Sequence, residues 1–511
     1  MASVFRQPCD EGVIRSTRPA FPCAPEAGKW VLAATILGSG MAFVDATAVT
    51  VVLPTIQEAL DATAVGAQWV IEAYTLFLAA LILTGGTLGD HLGRRRVFAA
   101  GVVIFAAASV WCALAAGPGA LISARALQGV GGALLVPNSL AIIGASFEEG
   151  RRGRAIGTWA GFTGLSMVLG PVLGGYLAEN LSWRAVFFIN VPLALAVLAI
   201  VFHRVPESRD PKAGALDLPG AGLAALGLGG VVLGLLESSK VGLLDPLVLG
   251  SLAVGVAALG AFVAVEGRTR EPMVPLSLFR SKDFVGANLF TLFFYLALGG
   301  TLFFLPFNLI WVHGYSATAA GAAIVPAILL VSALSRFAGT LADRHGARLL
   351  LTASALISAA GFALFALPGA GAGSYWTSYF PAAVLLGVGL AAQASVVTMV
   401  ALGAVDAGRS GLASAINNAF SQTAALLAVA ILGVLMFGVF ANSLDARLET
   451  LELPAEAARQ LEAEKVKLGA AEAPAGLDAE TGAAVERAVQ GAFVSGFRAV
   501  MLGAAAAALA A

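Results

Sequence analysis

Long windows without charge constrain this chain more than any other feature. Val97 to Gly117, Leu218 to Leu236 and Leu349 to Phe380 contain no Asp, Glu, Lys or Arg. A helix needs roughly 18–20 apolar residues to cross a hydrocarbon core about 30 Å thick, and windows of that length recur along the whole chain. Only 12% of the residues are charged, too few to coat a water-soluble domain, which carries about 25%. The 60 glycines fall inside the apolar runs, where they let helix backbones approach closely. A membrane barrel would instead show alternating segments of about ten residues. The expected class is an all-α polytopic membrane protein.

Polar interruptions divide the chain into six apolar segments over residues 30–203, two over 218–265 and six over 284–511, or fourteen in all. The expected organisation is a disordered cytoplasmic tail (1–28) and a six-helix bundle (29–204). Two inserted helices with flanking cytoplasmic loops (205–283) then lead to a second six-helix bundle (284–511). The second bundle includes an outer loop at 441–490, whose composition suits an amphipathic helical cap. No basic, apolar and small-residue order marks a signal peptide near the start. Lys and Arg concentrate in alternate short loops, at Arg94 to Arg96, Arg151, Arg152, Arg154, Arg204, Arg209, Lys212, Arg268, Arg270, Arg280, Lys282, Arg344, Arg348 and Arg409. Arg184 and Lys240 are the exceptions on the other side. That bias places both termini in the cytoplasm. The cysteines, Cys9, Cys23 and Cys112, read as incidental. A net charge of −1 argues against a nucleic-acid partner.

One sequence occurs twice. GTLGDHLGRRR starts at Gly86 and GTLADRHGARL at Gly339, at the ends of the second and tenth apolar segments. Eight helices is an even offset, so both copies face the same side, as a parallel duplication of six helices with two inserted requires. Gly86 and Gly93 are expected to allow tight packing and a sharp turn, and Asp90 to meet an Arg or a helix N-terminus. Arg94, Gly339, Asp343 and Gly346 are the remaining gating candidates. The first copy is expected to gate conformational change and the second mainly to hold its half together.

Ionisable groups inside apolar spans are expensive in lipid, so each is a functional hypothesis. They are Asp45, Glu72, Arg125, Arg336 and Arg498. At about 1.5 Å per helical residue, Asp45, Glu72 and Arg125 lie at similar depth in three helices of one half. Burial and a nearby guanidinium act on a carboxyl in opposite senses, so small changes of hydration can move its proton. Asp45 is the first candidate proton carrier, Glu72 is open between carrying a proton and fixing packing, and Arg125 modulates. Arg336 and Arg498 are expected to snorkel or brace loops. Tyr74, Phe294, Tyr295, Phe304, Phe307, Asn417, Asn418 and Gln422 suit a wide pocket for a bulky apolar ligand, of which a minority should line a pathway. No metal, nucleophile or cofactor constellation is present, so no enzyme is expected. The proton motive force would supply the energy.

In order, these stretches resemble the major facilitator superfamily, and within it the fourteen-span drug:proton antiporters of the EmrB/QacA type. VDATAVTVVLP is similar to the helix-one motif with Asp45, and GTLGDHLGRRR to the loop between helices two and three. RALQGVGGALLVP is similar to the helix-four motif, with Arg125, Gln128 and Gly129, and SWRAVFFINVP to the start of helix six. GLSMVLGPVLGG is similar to the antiporter motif of helix five, with Gly164, Gly170, Pro171, Gly174 and Gly175. Ser421, Ala424 and Ala425 depart from the pattern. The resemblance implies two six-helix bundles plus two central helices, rocking by alternating access in the cytoplasmic membrane. It also implies proton-coupled efflux of an amphipathic or cationic small molecule, with a periplasmic adaptor as a candidate partner. An importer of the same superfamily and a non-transporting membrane sensor or scaffold are the alternatives.

Overall fold

The computed structural model describes residues 25–147, 149–209, 217–269, 272–371, 373–405, 410–451, 453–474 and 477–511, and among them there is no strand. Thirteen helices are long and apolar enough to cross a membrane, and Phe380–Gly403 adds a fourteenth of 24 residues with an apolar start. In chain order they are α1 (Pro25–Ala59), α2 (Ala64–Leu92), α3 (Arg94–Ala113), α4 (Pro118–Ser146), α5 (Glu149–Asn180), α6 (Asn190–Arg204) and α7 (Leu218–Val241). Next come α8 (Pro246–Glu266), α9 (Lys282–Phe307), α10 (Val325–His345), α11 (Ala347–Phe365), α12 (Phe380–Gly403), α13 (Ser410–Leu448) and α14 (Ala479–Ala510).

Local chemistry sets many of the ends. Thr63, Asp217, Asp245, Ser281 and Asp478 each turn a side-chain oxygen onto a backbone N–H of the first turn of α2, α7, α8, α9 and α14, satisfying donors that a helix start leaves free. Gly93 (φ 107°) and Gly346 (φ 87°) stop α2 and α10 in conformations that an L side chain rarely adopts. Both lie at the same place in the repeated stretch.

Helix pairing repeats with the duplication. In the first six helices α1 packs along α5 and α6, α4 along α2 and α3, and α3 against α6. Eight helices on, α9 packs along α13 and α14, α12 along α10 and α11, and α11 against α14. Each contact has its counterpart, as two copies of one six-helix plan require. The inserted α7 lies against α2 and α13, while α8 packs mainly on α7 and turns much of its apolar surface outward.

The outer segment is shorter than the expected loop at 441–490, because α13 continues to Leu448 and α14 begins at Ala479. An amphipathic helix (Ala455–Glu464) and a 3-10 turn (Lys465–Ala470) fill the middle. This cap touches both halves. Gln57 Nε2 donates to the Lys467 carbonyl at 3.1 Å, and Lys467 Nζ pairs with Asp61 at 2.8 Å. The Asp61 carboxylate also holds the Lys467 ammonium above the usual lysine range. Leu468, at φ 55°, is buried in a core shared with Trp311 and Phe493. Residues 1–24, which contain most of the expected tail with Cys9 and Cys23, lie outside the described residues.

Candidate functional site

Four helices of the first half converge on one buried polar cluster. Asp45 from α1, Arg125 and Gln128 from α4, Asn190 from α6 and Ser109 from α3 are all 0–1% exposed. Arg125 Nη1 donates to Asp45 Oδ2 at 2.5 Å and to Gln128 Oε1 at 2.6 Å, while its Nε reaches the Val70 carbonyl at 3.0 Å. Asp45 Oδ1 accepts from Gln128 Nε2 at 2.9 Å and Asn190 Nδ2 at 2.8 Å. Both amides also donate to Ser109 Oγ. The guanidinium lies 4.4 Å from the centre of the Tyr74 ring, a distance at which a cation is attracted to the ring face. A buried carboxylate needs such partners, since an unpaired charge in a low-dielectric interior is strongly disfavoured.

Glu72, at similar depth, is not part of this cluster. It is fully buried, and neither oxygen has a hydrogen-bond partner. Its helical face also carries Val65, Trp69 and Leu76, which pack against Leu228 and Val232 of α7 and Leu426 of α13. Equal depth fixes position along a helix axis and leaves the direction around it open. For the same reason only Asp45 and Arg125 of the three expected partners meet.

Beside the cluster lies a cavity of about 950 Å³. Tyr74 and Arg125 reach it, as do Tyr295, Asn417, Asn418 and Gln422 from the second half. Ile71, Leu78, Ile82, Met167, Leu302 and Phe303 give it apolar walls, with Thr47, Thr50 and Thr75 among them. Phe294, Phe304 and Phe307, expected as pocket candidates, do not line it. On α9 the lining residues are Tyr295, Leu298, Gly299 and Leu302, one face at helical spacing, with Phe303 beside them. Phe294 stacks on Phe290 in the core against α11 and α12, and Phe304 and Phe307 pack beneath the cap with Trp311. Asn417 is also held by Asn288 at 3.2 Å and Thr291 at 2.8 Å.

The cavity extends to the end of the bundle that carries Arg94, where Gly86, Thr87 and Asp90 line it. Toward the cap the halves meet. A methyl group on Gly175 would lie 2.5 Å from the Ala317 backbone, and one on Gly321 2.3 Å from the Pro171 carbonyl oxygen. Glu179 binds both the backbone N–H and the hydroxyl of Thr318 at 2.6 Å. Gly170 and Gly174 close against Thr47 and Ala48 of α1. Gly164, Gly157 and Gly161 have nothing within 4 Å of an added Cβ, so the tight crossings belong to the last three turns of α5.

In the first repeated stretch Asp90 and Arg94 pair at 2.8 Å. The segment after α6 docks there, with Arg95 N–H on Glu207 Oε1 at 2.9 Å and Arg94 N–H on the Ser208 carbonyl at 2.8 Å. Gly93 makes the sharp turn. Tight packing comes from Gly85 and Gly89, whose Cβ atoms would strike Ala133 and Asn138 of α4, whereas Gly86 has only Pro137, at 3.5 Å. Gly339 and Asp343 lie on α10, and their side-chain surroundings, like those of Arg336, are outside the described residues. Gly346 has nothing within 4 Å. Arg498 braces the turn after α11 through the Ala366 and Leu367 carbonyls.

Asn190, Ser109 and Glu207 were not singled out by the sequence. An amide or hydroxyl within an apolar run is a weak signal, and the one clue was the local motif around Asn190.

Residues 35–441 match the family model described as Major Facilitator Superfamily. The chain is 35% identical over 413 residues to the tetracenomycin C resistance and export protein of Streptomyces glaucescens, covering 79% of this chain and 75% of that one. It is 35% identical over 415 residues to a puromycin resistance protein of Streptomyces alboniger, with 81% and 82% covered. Among solved structures, a bacterial homologue of the human lysosomal transporter Spinster, in an inward-facing and unoccupied conformation, superimposes with a TM-score of 0.67. It is 17% identical and the match covers 95% of this chain and 97% of that one, a likeness of fold. With its family model, its relatives and its paired six-helix plan in agreement, the chain is a multi-pass membrane transporter rather than an enzyme, and belongs to the Major Facilitator Superfamily.

Proposed function

We propose that the protein exports an amphipathic small molecule from the cell in exchange for protons. The observation that carries this reading is the Asp45–Arg125 pair, whose guanidinium reaches the wall of a cavity that extends to one end of the bundle and is closed at the other. The Lys and Arg bias assigns the end with Arg94 to the cytoplasm, so the cavity is loaded from inside. Its volume falls within the usual range for a small-molecule site, and its apolar walls with a few hydroxyls and amides suit a ligand with both characters. The names of the relatives, which concern resistance to and export of antibiotics, favour the outward direction.

Coupling then rests on the charge of the pair. With Asp45 ionised, Asp45 and Arg125 neutralise each other and the wall beside Tyr74 accepts an amphipathic ligand. A proton taken up by Asp45 from the outer side breaks the pair and leaves the guanidinium uncompensated, which disfavours an apolar or cationic ligand and releases it. Loss of that proton to the inner side restores the pair, so proton and ligand exclude each other, as antiport requires. Outward opening would separate the Gly175–Ala317 and Gly321–Pro171 crossings and part Glu179 from Thr318.

The test is efflux from proteoliposomes under an imposed pH gradient. Wild type should export against the ligand gradient and Asp45→Asn should not, and ligand binding by Asp45→Asn should no longer respond to pH as that of wild type does. Gradient-driven export by Asp45→Asn equal to wild type would remove the assignment. Uptake with the proton gradient would replace the exporter by an importer.

A further inference from the structure

The two inserted helices bring together a pair of carboxyls that the proton cycle above does not use. Asp217 stands at the start of α7 and lines the mouth of the cavity. Glu266 is the last residue of α8 and is only 2% exposed. Each spends one oxygen on backbone: Asp217 Oδ1 accepts from Gly220 N–H at 2.8 Å and Glu266 Oε2 from Val274 N–H at 2.9 Å. The remaining oxygens, Asp217 Oδ2 and Glu266 Oε1, are buried without a donor. They face each other across Gly220, where a methyl group would lie 2.6 Å from one and 2.8 Å from the other. Neither carboxyl has an ion pair among the described residues.

Two carboxyls whose free oxygens are buried side by side repel when both carry charge, and one proton between them satisfies both oxygens at once. We propose that Asp217 and Glu266 hold one shared proton, forming a proton-binding site on the inserted helices at the mouth of the cavity. The O–H belongs to one carboxyl and is donated to the other, and its loss leaves two like charges facing each other. Among the described residues the charged groups nearby do not substitute for the proton. Asp90, on α2 at the same mouth, is itself acidic and paired with Arg94, and Arg268 is exposed; Lys212 and Arg270 lie outside the described residues. The site also bears on the cavity. Glu266 holds the segment that carries Met273, whose sulfur accepts from Thr84 Oγ1 of α2 at 3.7 Å, so the protonation of the pair bears on how that segment sits at the mouth.

Infrared difference spectroscopy of the full-length protein in lipid nanodiscs, following the C=O stretch of protonated carboxyls as pH is raised, reads this site directly. Asp217→Asn and Glu266→Gln should each abolish the same band, and the double variant should remove nothing more. Gly220→Ala, which drives a methyl between the oxygens, should abolish it too. Persistence of the band in either single variant, different bands lost in the two, or no pH-sensitive band beyond those of other carboxyls would overturn the proposal. Asn caps a helix as well as Asp and Gln keeps an acceptor for Val274, so either variant that folds is decisive alone. Asp45→Asn should leave the band in place. The measurement needs no transport, so its failure is distinct from failure of the exporter reading.

Discussion

In the first half α1, α3, α4 and α6 enclose Asp45, Arg125, Gln128, Asn190 and Ser109, a cluster with a charged pair at its centre and no exposure to speak of. In the second half α9 and α13 bring together Asn288, Thr291 and Asn417, all neutral, and no charged side chain is buried in that bundle's membrane helices among the described residues. The helix pairing is the same in both. A shared plan of contacts therefore does not dictate shared chemistry, because pairing depends on small residues at crossings, while the interior charge depends on a few positions free to differ. One half is built to handle charge and the other to present a neutral, partly amide-lined wall.

The largest effect is expected at the charged pair itself. Arg125→Ala leaves Asp45 buried without its cation and should destabilise the protein by about 3–5 kcal/mol. Asn417→Ala, in the neutral cluster, should lose about 1 kcal/mol. Thermal unfolding in detergent measures both, and equal losses would mean that the two clusters do the same structural work.

A smaller effect is expected where the halves touch. Gly175→Ala overpacks the crossing with Ala317 and should disfavour the conformation closed toward the cap by about 1–3 kcal/mol. Gly164→Ala, on the same helix with open space around it, should change little. Labelling of cysteines placed on the two sides of the crossing checks this, and similar accessibility in both variants would discard the closure assigned to α5.

The repeated stretches sharpen the contrast further. Both Gly93→Ala and Gly346→Ala force an L residue into a left-handed conformation at about 1–2 kcal/mol. Only the first also drives a methyl within 2.7 Å of the Glu207 carboxyl. Gly93→Ala should therefore lose more stability and more transport at equal expression. The smallest effect is expected at Glu207→Gln, which keeps an acceptor for Arg95 N–H but gives up its charge beside Arg95 and Arg96, at roughly 0.5–1 kcal/mol. A loss as large as that of Gly93→Ala would show that the ion pairs dominate the docking.

Legibility from the sequence varied with the kind of question. Helix number, the insertion between two halves and the eight-helix offset followed from apolar run lengths and one repeat. The Asp45–Arg125 contact was also foreseeable, since two opposite charges at one depth in lipid must find each other or water. Glu72 had the same signal and a different outcome, because its side chain points around α2 toward α7 and α13. Phe294 and Tyr295 are adjacent in sequence, yet only Tyr295 reaches the cavity. The length of the cap was overestimated because polar helix extensions beyond the membrane look like loop when apolarity is the criterion.

The sequence by itself determined the membrane class, the helix plan and which ionisable groups had to be accounted for, since the energetics of apolar length and buried charge act on local composition. Only the tertiary structure decided which groups meet, because azimuth around each helix is set by packing against neighbours distant in the chain. Glu266 and Asp217 show this most plainly, as two ordinary acids at the ends of two helices became a facing pair only when the inserted hairpin folded back on itself.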